Sequence, residues 1–145
     1  MVTVKLKCNP NISIPKYQTH GSAGMDLCAY LPEKSIILKS GEFQRIKTGL
    51  FIQLPVGYEA QIRPRSGLAL NNGITVLNSP GTIDSDYRGE IGVILINHSN
   101  IDFEIKSGDR ICQMVISKYE TVNFEIVVDL DKSERNSGGF GHTGK

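Results

Sequence analysis

Apolar and polar residues alternate with a period of two in several short stretches of this chain. Val2-Thr3-Val4-Lys5-Leu6, Tyr58-Glu59-Ala60-Gln61-Ile62 and Ile101-Asp102-Phe103-Glu104-Ile105 each place apolar side chains on one face of an extended segment and polar ones on the other. That is the signature of a strand with one buried and one wet face. Ile91-Gly92-Val93-Ile94-Leu95-Ile96 is apolar almost throughout and predicts a strand buried on both faces. The runs Ile111 to Ile116 and Phe124 to Val128 predict two more strands. Turn formers separate these stretches at Ser40-Gly41, Pro55-Val56-Gly57, Asn71-Asn72-Gly73 and Ser107-Gly108-Asp109. Many short strands at near-regular spacing predict an all-β sandwich or barrel. Helical periodicity is confined to a turn or two after Pro64, over Ser66 to Leu70.

The pattern stops near Asp131. Residues 136–145 read Asn-Ser-Gly-Gly-Phe-Gly-His-Thr-Gly-Lys, and four glycines in ten residues form neither helix nor strand unaided. A frayed terminus is the plain reading. Phe140 sits oddly in it, because a lone aromatic in a polar glycine-rich tail gains nothing unless it docks on something. A segment that orders on a ligand is the alternative.

Composition narrows the functional classes. The 145 residues fit one domain with a real core. Sixteen Lys and Arg face fifteen Asp and Glu, with no run of like charge, so the basic stripe of a nucleic-acid binder is missing. A small nucleotide needs only a few placed cations and stays open. Cys8, Cys28 and Cys112 form no Cys-x-x-Cys pair, and His20, His98 and His142 have no metal-ligand spacing, which disfavours a disulfide framework or structural zinc. With no apolar signal core near Met1 and no bilayer-length apolar run, a cytoplasmic protein without membrane contact is expected.

Five segments could carry chemistry. Gly81-Thr82-Ile83-Asp84-Ser85-Asp86-Tyr87-Arg88-Gly89-Glu90 sets two carboxylates beside an aromatic and an arginine, within a predicted hairpin from Asn78 to Gly92. An isolated Asp-x-Asp is more often a solvated turn, but an Asp at such a site can position or deprotonate a water. Arg63-Pro64-Arg65-Ser66-Gly67 offers forked donors, a hydroxyl and an approachable backbone. It reads equally as a phosphate cradle or as an ordinary helix start with surface arginines. Asp26 in Ala23-Gly24-Met25-Asp26-Leu27 opens a strand, or merely ends a turn. Gln113 in Gly108-Asp109-Arg110-Ile111-Cys112-Gln113-Met114 is a neutral amide able to hold a phosphate oxygen, or part of a plain hairpin. Arg135 could close over a phosphate, or be a solvated side chain. Walker A, Gly-x-Ser-x-Gly, His-Glu-x-x-His and EF-hand patterns are absent from the sequence.

In this order the segments at Asp26, Arg65, Asp84, Gln113 and Arg135 resemble the five motifs of the homotrimeric dUTPase family, from residue 23 to 144. The departures are Asn136, where the family often has Gly, and Cys112, where Ala is usual. The resemblance implies a jelly-roll or distorted β-barrel domain over residues 1–131 and a flexible arm, 132–145, closing over an active site. It implies a homotrimer with shared sites that cleaves dUTP to dUMP and pyrophosphate with Mg2+, limiting uracil in DNA and supplying dUMP for dTMP synthesis. By the same resemblance, Asp84 activates the attacking water, and Asp26 supports the magnesium through water. Ser66, the Arg65–Gly67 backbone and Gln113 hold phosphates. Asn78, Thr82, Ile83 and Gly92 belong to the uracil-recognising hairpin, and Tyr87 packs on the deoxyribose. Arg135 covers the γ-phosphate, and Phe140, followed by Gly141, stacks on uracil. Two alternatives stay open: a dCTP deaminase, which shares the fold and parts of these motifs, and a dUTPase-like nucleotide-sensing module without catalysis.

Overall fold

The computed structural model describes residues 1–139. It contains strands β1 (Lys5–Cys8), β2 (Met25–Cys28), β3 (Ser35–Leu38), β4 (Phe43–Lys47), β5 (Leu50–Gln53) and β6 (Tyr58–Arg63), then one helix, α1 (Ser66–Asn72). Strands β7 (Ile74–Val76), β8 (Gly81–Ile83), β9 (Gly92–Asn97), β10 (Phe103–Lys106) and β11 (Arg110–Lys118) follow. The helix falls where periodicity predicts it and ends at Gly73, whose φ of 65° is the left-handed conformation that a C-terminal glycine adopts most easily.

The strands form four small sheets: β1-β5, β10-β3, β2-β11-β6-β8 and β4-β9-β7. No strand in them pairs with its neighbour in sequence, and among the described residues no ring of strands closes into a barrel. Each turn therefore carries the chain from one sheet to another. The expected hairpins at Ser107-Gly108-Asp109 and between Asn78 and Gly92 are not paired hairpins. In the second case β8 bonds to β6 while β9 bonds to β4 and β7, so residues 84–91 bridge two sheets.

Inward-facing side chains from all four sheets meet in one core. Leu27, Leu38, Ile46, Leu50, Ile74, Leu95 and Ile105 are fully buried, each contributing on the order of 2 kcal/mol through its removal from water. Two polar side chains are buried with them and are satisfied. Asn97 donates to the carbonyls of Leu38 and Ile101 and accepts from Ser99. Thr48 donates to the Ile91 carbonyl at 2.6 Å.

Three segments differ from the sequence pattern. Strand β9 alternates instead of burying both faces: Val93, Leu95 and Asn97 are buried, while Ile94 and Ile96 are only half-covered. The first strand begins later than the alternation suggests, at Lys5, and all four of its residues are exposed. Phe124 to Val128 forms no strand. Past Lys118 the described chain forms no further strand, with bends at 128–129 and 134–135 and a turn at 136–137, and Phe124, Ile126 and Val128 are almost wholly exposed. Period-two apolar patterning requires a surface to pack against, and within this chain the segment has none.

Candidate active site

The four-stranded sheet gathers the first cluster. Gln113 on the central strand β11 is opposite both Asp26 on β2 and Arg63 on β6. A bulge makes this row possible. Arg110 pairs with Cys28 and Cys112 with Leu27, leaving Ile111 as an extra residue. Without it, Arg110 and Gln113, three apart, would face opposite sides; with it they share one side, and Ile111 and Cys112 both turn into the core.

Past Arg63 the chain leaves the sheet and Arg65 folds back over Asp26. The Arg65 Nε donates to Asp26 Oδ1 at 2.9 Å, and Arg65 Nη1 to the Arg110 carbonyl at 3.1 Å. Arg110 Nη1 reaches the other carboxylate oxygen at 3.3 Å. One carboxylate between two guanidiniums leaves a net positive cluster. Gln113 donates to the Pro64 carbonyl at 2.9 Å, tying the 64–67 segment to the strand and leaving one amide N–H free. Ser66 and Gly67 are exposed at the start of α1, which has no side-chain cap, and a Cβ on Gly67 would meet nothing within 4 Å. Beneath the cluster, burial pushes the Cys112 thiol far above the usual thiol range, and Asp26 acts in the same direction.

A second site lies where residues 84–91 cross between sheets. Arg45, Thr82, Ile83, Asp84, Tyr87, Glu90, Gly92 and Ile94 line a cavity of about 230 Å³. Its far end is pinned: Ile91, fully buried, donates to the Leu50 carbonyl and accepts from Thr48. Tyr87 donates to the Glu90 carbonyl at 3.1 Å, and the Glu90 carboxylate accepts from the Gly49 N–H at 2.8 Å. Arg88 donates to the carbonyls of Ser85 and Tyr87 and so stiffens the loop. Asp84 is exposed and makes none of the ion pairs found among the described residues.

The expected residues thus fall into two groups. Asp26, Arg65, Ser66, Gly67 and Gln113 are together. Thr82, Ile83, Asp84, Tyr87 and Gly92 are together. Register separates the groups, since Ile83 pairs with Ala60, which puts Asp84 level with Glu59, four residues from Arg63 along β6. At roughly 3.3 Å per residue that is about 13 Å before Arg65 is reached. Asn78 is exposed beside Gly81 and does not line the cavity. Arg135 is exposed, and its Nε donates to the Gly138 carbonyl at 2.7 Å, within its own tail. Asn136, the departure from the family pattern, adopts a φ of 42°, which Asn tolerates better than most residues. Phe140 and Gly141 lie outside the described residues.

The family model for dUTPase matches residues 10–144. The chain belongs to the dUTPase family. Among curated relatives, the deoxyuridine 5'-triphosphate nucleotidohydrolase of Finegoldia magna is 55% identical over 141 residues, covering 97% of this chain and 98% of the relative. In three dimensions the chain is similar to a mutant dUTPase of Staphylococcus bacteriophage 80alpha with dUpNHpp, with a TM-score of 0.88, 23% identity and 99% of each chain covered. A mutant dUTPase of the S. aureus phage phi11, described with a structural Mg(II) ion, gives a TM-score of 0.80 at 20% identity, covering 90% of this chain and 99% of that one. These structural likenesses establish the jelly-roll-like fold of the dUTPase-family chain.

Sequence reasoning missed three side chains at these sites. Arg110 and Glu90 lie inside segments already singled out, but nothing in their spacing shows that one brackets Asp26 and the other anchors Tyr87. Arg45 reaches the cavity from β4, through a strand pairing that no local pattern encodes.

Proposed function

We propose that this protein hydrolyses dUTP to dUMP and pyrophosphate, with Asp84 orienting and deprotonating the water that attacks the α-phosphorus. The observation that carries the reading is the placement of Asp84. It is a free, exposed carboxylate at a cavity lined by Thr82, Ile83, Tyr87 and Gly92, in a chain of the dUTPase family. A carboxylate without a cationic partner keeps its oxygens available for a water proton.

The cavity is small against the roughly 300–1,000 Å³ of common ligand pockets, which suits a single pyrimidine and its sugar. Backbone groups at its rim can pair with the uracil edge, and cytosine, with an amino group in place of the 4-carbonyl, would leave them unpaired. Tyr87, held by the Glu90 carbonyl, closes the sugar side against a 2′-hydroxyl. The net positive Asp26–Arg65–Arg110 cluster and the exposed Ser66 and Gly67 suit phosphate oxygens.

The described residues contain no group of three or more acidic, His or Cys side chains able to hold a metal. Both Asp26 oxygens already face guanidiniums, so the donor set fits a magnesium ion carried mainly on the triphosphate and reached by Asp26 through water. When bound, the ion supplies charge neutralisation on the departing pyrophosphate.

Because the Asp84 cavity and the phosphate cluster stand apart in one chain, a complete site draws on more than one copy, and a homotrimer is the assembly we propose. The exposed apolar side chains of Val122, Phe124, Ile126 and Val128 support it, since such a surface calls for cover. Beyond them, residues 132–145 act as an arm closing Arg135 and Phe140 over the substrate. Three free cysteines fit a reducing, cytoplasmic setting.

Purified protein with magnesium is expected to release pyrophosphate from dUTP and much less from UTP or dCTP. Ammonia release from dCTP would make it a deaminase, and dUTP binding without turnover would leave the sensing module.

A further inference from the structure

We propose that Arg45 is a positioning residue for the nucleoside cavity, seated in the space that Gly92 leaves by having no side chain. The inference rests on the dUTPase reading and adds to it a residue that lies outside the five motifs.

Arg45 is on β4 opposite Ile94 of β9, two steps from the pairing of Lys47 with Gly92. Its side chain runs diagonally across to Gly92. A Cβ built on Gly92 would collide with Arg45 Nε and sit 3.0 Å from its Cδ and Cγ. The guanidinium then reaches the loop, where Nη2 donates to the Glu90 carbonyl at 3.4 Å. That carbonyl is the one that also receives the Tyr87 hydroxyl. Glu90 is held a third way, through its carboxylate on the Gly49 N–H. Arg45, Tyr87, Glu90 and Gly92 all line the same cavity.

The consequence is a chain of support. Glycine at position 92 admits the arginine stem, the arginine fixes the Glu90 carbonyl, and the carbonyl fixes the tyrosine that faces the sugar. Arg45 is not a catalytic residue, since its bonds are to the loop that forms the cavity. Its guanidinium also places positive charge and free N–H donors at a cavity whose proposed occupant presents carbonyl oxygens. Losing it should therefore weaken nucleoside recognition and leave the chemical step largely intact.

The test compares Arg45→Met, which keeps the stem and removes the donors, with Gly92→Ala, which displaces the stem, and with the double variant. Expected for Arg45→Met are a KM for dUTP raised about tenfold, kcat within about twofold of wild type, and a dUTP-over-UTP preference reduced by a similar factor. Gly92→Ala should reproduce these changes, and the double variant should be no worse than either single one, because both act through the same side chain. Arg45→Lys should recover part of the loss. An unchanged KM and sugar preference in Arg45→Met, a fall in kcat alone, or multiplying effects in the double variant would each overturn the proposal. Failure of wild type to hydrolyse dUTP would overturn the functional reading instead, so the two are separable. Melting temperatures of the same variants identify any that are merely misfolded, and dUMP against UMP affinity in the folded ones gives the answer without turnover.

Discussion

Asp26 and Asp84 are both aspartates in motif-like segments at a strand terminus, and the molecule treats them in opposite ways. Asp26 is the second residue of β2, is largely covered, and has a guanidinium on each oxygen. Asp84 follows the last residue of β8, is exposed, and has no ion-pair partner among the described residues. A carboxylate held between two arginines organises charge and geometry; its lone pairs are engaged and its negative charge is over-compensated. A carboxylate left free at a cavity can take a proton from water. On the proposed reading, the difference leaves proton chemistry to Asp84 and gives Asp26 the organisation of the charged cluster, although the residue type is the same.

The largest expected effect comes from removing the free carboxylate. Asp84→Asn should lower kcat for dUTP by about 10³-fold, within the range for loss of a general base, while thermal stability stays close to wild type. Retention of more than a tenth of wild-type kcat would transfer the catalytic role elsewhere. Truncation after Glu134 comes next. Loss of Arg135 and the following residues should reduce kcat/KM by roughly 10²-fold through poorer positioning and exclusion of water, with the folded core unaffected. A truncated protein as active as the full chain would remove the arm from the mechanism.

Asp26→Asn should show the reverse balance. It leaves two guanidiniums without their counter-charge, one of them mostly exposed. The expected cost is about 1–2 kcal/mol of stability, between exposed and buried ion pairs, read by denaturant unfolding at fixed protein concentration. Activity should fall less than in Asp84→Asn. If instead Asp26→Asn is fully stable and inactive, the two aspartates have been assigned the wrong way round.

Strand positions were legible in the sequence because period-two patterning is local, and β6 and β10 lie close to where alternation places them. Sheet partners were not legible. Turns such as Ser107-Gly108-Asp109 look like hairpin turns, yet the strands they join belong to different sheets, since burial of both strand faces depends on distant segments. The same limit hid Arg45 and the bulge at Ile111. The odd spacing of Arg110 and Gln113 argues against a shared face until an extra residue is inserted between them. Phe124 to Val128 shows the opposite failure, where local pattern is right for a strand but nothing in the single chain completes it.

Cys112 offers the smallest effect and the closest view of the contrast, because it lies under the Asp26 cluster and far from Asp84. Burial holds its thiol protonated well above the usual thiol range, and the neighbouring Asp26 charge adds to this. In folded protein at mildly alkaline pH, exposed Cys8 should react with a thiol reagent and Cys112 should not. The sign for stability follows from the same shift. The unfolded chain releases the Cys112 proton at the ordinary thiol pKa while the folded chain does not, so the unfolded state binds fewer protons once pH passes that range. Stability is therefore undiminished below it and declines as pH rises above it, and Cys112→Ala should flatten that decline. Asp84→Asn should leave Cys112 as unreactive as in wild type. Asp26→Asn should speed its labelling several-fold, because the arginines that fold over the strand lose their anchor and the sheet edge opens more often. Equal labelling rates in the two aspartate variants would mean that Asp26 does not hold the Arg65 and Arg110 side chains closed over the core.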